Sequence, residues 1–136
     1  MIEAEVGVLI RRVRRVIGER ARAVHEGLQP ASYLLLAHLA EIGPARSSVV
    51  VDAFEIDKGA VSRQVQHLVE LGLVERQPDP ADGRATLLSV TPEAQARLAD
   101  VRAHRRKWLD ERLGDWTEQD LDVLVKALGR YNRAFD

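Results

Sequence analysis

The chain has 136 residues, with 20 Lys+Arg against 21 Asp+Glu for a formal net charge of -1, and 46% of it is hydrophobic and 30% charged. These values fit one soluble domain (1–136) that buries about two thirds of its unfolded surface, and no apolar run approaches the roughly 20 residues of a membrane span. The absence of cysteine excludes disulfides, thiolate metal sites, cysteine nucleophiles and thiol redox switching, and the start Met1-Ile2-Glu3-Ala4-Glu5 lacks a secretory pattern, so a cytoplasmic location is expected.

The spacing of Val6, Leu9, Ile10, Val13, Val16 and Ile17 predicts a first helix from about Glu3 to Glu26, flanked by Arg11, Arg12, Arg14 and Arg15. At 1.5 Å per residue it would run roughly 36 Å, longer than a small domain is wide, so part of its stripe needs a partner outside its own core. Pro30 opens a second helix with Tyr33 to Leu36, Leu39 and Ile42 on its buried side, and Gly43-Pro44 stops it. A short helix from Ser47 or Ser48 to Phe54 follows, although Val49-Val50-Val51 favours a strand. Asp57 is the expected N-cap of the next helix, Lys58 to Leu71, which ends at Gly72. Two strands, Leu73–Gln77 and Arg84–Val90, flank the turn-forming segment from Pro78 to Gly83 and predict a hairpin. Thr91-Pro92-Glu93 starts a fifth helix running to about Leu113, and Thr117 with Asp120 forms a capping-box pattern at the start of a last helix.

Charge is unevenly spread. Residues 45–91 carry five basic and seven acidic side chains, yet Lys58 to His67 holds Lys58, Arg63 and His67 with no carboxylate. On a wheel of about 100° per residue, Val61, Val65 and Leu68 share one side of this helix, while Gly59, Arg63 and Gln66 point away, with Ser62 and His67 on the flanks. A guanidinium, amide, hydroxyl and imidazole on a narrow element suit the edges of bases in a major groove about 12 Å wide. Lys58 and Gln64 complete the candidate DNA-binding set on this helix. Arg84, directly after Asp82-Gly83, can extend from the hairpin tip into a minor groove, with Asp82 holding its direction. The ordinary alternatives are a solvated helix face and a surface ion pair worth at most about 1 kcal/mol.

The stretches Asp57 to Val65, Leu68 to Arg76, and Asp79 to Arg84 followed by Leu88-Ser89-Val90-Thr91 resemble the MarR (multiple antibiotic resistance regulator) family. The resemblance implies a mainly α fold with a small β-hairpin wing: a winged helix-turn-helix lobe (28–91) between helical dimerisation regions (1–27 and 92–136). It also implies a homodimeric transcriptional regulator, a repressor that binds double-stranded operator DNA, with the helix at 58–71 in the major groove and the wing at 78–84 in the minor groove. Ser62 and Arg63 match the family's Ser/Thr-Arg pair, and Asp82 with Arg84 its Asp-x-Arg wing signature. The resemblance leaves room for a small aromatic or phenolic effector. Glu55 stands where the family often has glycine, Val50-Val51 where it has Leu-Ala, and Ala94 where glycine commonly follows the threonine.

Other chemistry finds little support. His25, His38, His67 and His104 lack metal-ligand spacing, and there is no nucleophile-base arrangement or glycine-rich phosphate cradle, so neither cofactor nor enzymatic activity is expected. Trp108 and Trp116 read as core or dimer packing. The competing reading is a winged-helix module that docks the same helix onto another polypeptide.

Overall fold

The computed structural model describes residues 1–136. Its elements are α1 (Ile2–Val24), α2 (Pro30–Ile42), α3 (Ser47–Phe54), α4 (Lys58–Glu70), β1 (Val74–Pro78), β2 (Thr86–Val90), α5 (Pro92–Arg112) and α6 (Glu118–Arg133). The expected order of six helices and one hairpin is the observed one. α1 stops earlier than its periodicity suggests because His25 turns extended, at φ -158° and ψ 136°. The second strand begins at Thr86, which leaves Arg84 in the turn and outside the ladder.

Residues 1–101 form one compact unit and 102–136 another. The core of the first centres on α2, whose Leu35, Leu36 and Leu39 are sealed from solvent. Ala21 and Val24 from the end of α1, Val50 of α3, Val61, Val65 and Leu68 of α4, and Leu88 of β2 close around them. Ala94, Leu98 and Val101 from the first turns of α5 complete this core. Farther toward its start α1 is open: Leu9, Ile10 and Val13 are each more than two-fifths exposed.

Turn chemistry sets the angles between elements. Gly72, at φ +73°, follows α4, with its N–H on the Val69 carbonyl and the Leu73 N–H on the Leu68 carbonyl. This Schellman ending reverses the chain into β1. β1 and β2 pair antiparallel with Val74 opposite Val90 and Arg76 opposite Leu88. On its other side Leu88 bridges Ala45 through two backbone hydrogen bonds, which fastens the hairpin to the segment before α3. Thr91 caps α5 by accepting from the Ala94 N–H at 3.3 Å and donates its own hydroxyl hydrogen to the Gly72 carbonyl at 2.9 Å. Arg97 reaches the Val24 carbonyl at 2.8 Å, tying α5 to the end of α1.

In the second unit, the Thr117 side chain accepts from the Asp120 N–H and the Asp120 carboxylate from the Thr117 N–H, the complete capping box. No side chain of α6 is buried. Leu121, Leu124, Leu128 and Tyr131 form a partly exposed apolar stripe, and Trp108 and Trp116 are more than two-fifths exposed, so neither belongs to the core.

Candidate nucleic-acid interface

α4 is built so that one side is spent on packing and the other left free. Val61, Val65 and Leu68 are at most 3% exposed, whereas Lys58, Ser62, Arg63 and Gln66 face solvent. Asp57 starts the helix by accepting from the Ala60 N–H at 3.3 Å. Gly59 and Gln64 are half-buried. A Cβ at Gly59 would come within 3.0 Å of the Asp57 carboxylate, so glycine here also leaves room for the cap.

His67 is placed differently from the rest. Its Nε2 lies 3.1 Å from the Gly27 carbonyl oxygen, and the Gly27 N–H in turn donates to His25 Nδ1 at 2.9 Å. The ring therefore joins α4 to the α1–α2 connection, and that nitrogen is already engaged.

The wing is held by two aspartates. Asp82 accepts the Arg84 backbone N–H at 3.1 Å, and Asp79 accepts the Ala81 N–H at 2.9 Å, each fixing a turn two residues ahead. Asp82 thus meets Arg84 at its backbone N–H, and the guanidinium makes no ion pair with it. Arg84 and its neighbours in the tip are exposed. Asp79 also receives Arg46, whose Nε and Nη2 lie 2.9 and 2.6 Å from Oδ2. The Ala81 N–H and then the Arg46 guanidinium hold the Asp79 carboxyl below its ordinary value. This clamp joins the start of α3 to the base of the wing. A separation of 33 residues hid it from any reading of local sequence.

A second cross-link joins the wing to α4. Arg76 on β1 donates through Nη2 to Gln66 Oε1 at 3.1 Å, and Gln66 Nε2 donates to Glu70 Oε1 at 3.2 Å. Neither Arg76 nor Glu70 stood out in the sequence. The period-2 alternation of β1, which puts Arg76 on the same face as buried Val74, was the available signal.

A short helix, a turn, an outward-facing second helix and a hairpin wing define a winged helix-turn-helix protein. A model of the MarR family matches residues 26–85. The uncharacterised HTH-type transcriptional regulator YxaD of Bacillus subtilis is 33% identical over 135 residues, spanning 99% of this chain and 93% of that protein. Among solved structures, a probable transcriptional regulator from Pseudomonas aeruginosa shares 26% identity with a TM-score of 0.66, covering 96% of this chain and 99% of its own. RV1404 from Mycobacterium tuberculosis shares the fold at a TM-score of 0.80 and 22% identity, over 98% of this chain and 90% of its own. The chain belongs to the MarR family of HTH-type transcriptional regulators.

Proposed function

We propose that this protein is a homodimeric, sequence-specific DNA-binding regulator, a repressor of a pseudo-palindromic operator, with no enzymatic activity. The 28–91 lobe contacts DNA and the flanking helices pair two copies. Lys58, Gly59, Ser62, Arg63, Gln64 and Gln66 of α4 face the major groove, His67 closes the edge of that surface, and Arg84 enters the minor groove. The observation that carries this reading is the division of α4. Three apolar side chains anchor it, while Ser62 and Arg63 stand exposed with no intramolecular partner beside a wing whose tip presents Arg84. Protein-binding modules also expose polar helices, but a wing joined to α4 through Arg76 and Gln66, with Arg84 exposed at its tip, suits a polyanion with two grooves.

Twofold symmetry puts half-sites about one helical turn apart, roughly 10 bp. Relief by a small aromatic or phenolic effector is part of this proposal, supported only by the family resemblance, and is checked by adding phenolic compounds to the preformed complex. The test is a fluorescence titration with DNA from upstream of the protein's own coding region at several salt concentrations. Wild-type affinity is expected to fall steeply with salt as counterions are released. Arg63→Ala should cost about 1–3 kcal/mol on the preferred sequence, and Arg84→Ala should weaken all sequences and flatten the salt slope. Unchanged binding in both variants would remove the assigned surface.

A further inference from the structure

Gln66 is the one side chain on the outward face of α4 whose two polar atoms are both engaged within the chain. We propose that Arg76, acting through Gln66, is a specificity-determining positioning residue. The Arg76–Gln66–Glu70 chain locks the Gln66 amide in the orientation that reads an adenine in the major groove. This inference rests on the DNA-binding reading above and names the base that one position of that surface selects.

A glutamine amide can turn over and exchange its donor and acceptor, so an unrestrained one reads several bases. Here the partners decide. A guanidinium has only donors, so Arg76 can bond only Oε1; an ionised carboxylate has only acceptors, so Glu70 can bond only the amide N–H. Reversal would set N–H groups against the guanidinium and the carbonyl against the carboxylate, two repulsive contacts in place of two favourable ones.

The fold aims each partner. Glu70 lies one turn beyond Gln66 on α4, the i,i+4 neighbour position. Arg76 shares its face of β1 with Val74, which is 3% exposed, and sits opposite Leu88, which is 1% exposed. That face turns toward the core and α4, so Arg76 meets Gln66 at the core's rim. It has no carboxylate within ion-pair distance to draw it away.

After these two bonds Gln66 retains one lone pair on Oε1 and one N–H on Nε2. Adenine presents the complement in the major groove: N6 donates and N7 accepts. Guanine offers two acceptors, thymine one acceptor and a methyl group, and cytosine one donor, so none matches both remaining sites.

The experiment is selection from a randomised operator library at fixed salt by the full-length protein and its Gln66→Ala, Arg76→Ala and Arg76→Lys variants, with a thermal melt of each as a folding control. Wild type is expected to prefer adenine about tenfold at one position of each half-site. Gln66→Ala and Arg76→Ala should each reduce that preference to under about twofold at the same position while other positions keep theirs. Arg76→Lys, which still supplies a donor, should recover part of it. Uniform weakening of all sequences by Arg76→Ala, with the adenine preference intact, would overturn the proposal and leave Arg76 a backbone contact. A wild type that selects an operator while both alanine variants retain its full preferences overturns this inference alone. A wild type that selects no sequence overturns it together with the DNA-binding reading.

Discussion

Glu55 ends α3 in the left-handed region, at φ 51° and ψ 34°, where a side chain crowds its own backbone. It is the only non-glycine residue in the chain with positive φ. The family resemblance sets glycine at this position, and the left-handed backbone is one that glycine adopts without cost. Glu55→Gly should therefore stabilise the fold by up to about 1 kcal/mol, part of the relief being offset by the freer unfolded chain, as measured by urea unfolding. Asp79 gives a pH-dependent counterpart. Its carboxyl is held below the ordinary aspartate range in the folded state, so its contribution is fully present above that range and disappears as pH falls through the depressed native value. The stability difference between wild type and Asp79→Asn should stay constant from neutral pH down to about 5 and shrink in stronger acid. A difference that grows on acidification would contradict the assigned clamp.

At the scale of elements, α3 shows where local preference yields to packing. Val49-Val50-Val51 favours a strand, yet the segment is helical because Val50 is completely buried against the core. α4 needs no such override, since its apolar spacing, its Asp57 cap and its Gly72 ending all agree. Leu68, also completely buried, carries much of its attachment. Leu68→Ala should cost about 2–5 kcal/mol in equilibrium unfolding, because the surrounding helices cannot fully close the cavity. Below its lowered melting temperature this variant should still bind DNA, since Leu68 points away from the proposed interface.

For the whole molecule, the outstanding physical fact is apolar surface left in the open. Leu9, Ile10 and Val13 on α1 and Leu121, Leu124 and Leu128 on α6 are each between 37% and 48% exposed. Contiguous stripes of this kind mark association surfaces, and a second copy covering them is the dimer of the proposed function. Leu124→Asp should turn a dimer into a monomer in sedimentation velocity. It should also lower operator affinity at least about 100-fold, since two linked half-sites gain from effective concentration. If Leu124→Asp remains dimeric, α6 is not the subunit contact.

Much of this architecture was readable from residue order, for a definite reason. Helix periodicity, proline and glycine stops, Asp57, and the Thr117–Asp120 pair act within a few residues of themselves, so they fixed the six helices, the hairpin and the two faces of α4. Links between distant residues were not readable. Arg46 reaching Asp79, Arg76 reaching Gln66 and His67 reaching Gly27 depend on how separate elements pack, and no spacing rule encodes a partner 10 to 40 residues away. The sequence thus determined which side chains face outward, whereas only the tertiary structure decided which of them are free and which are already held.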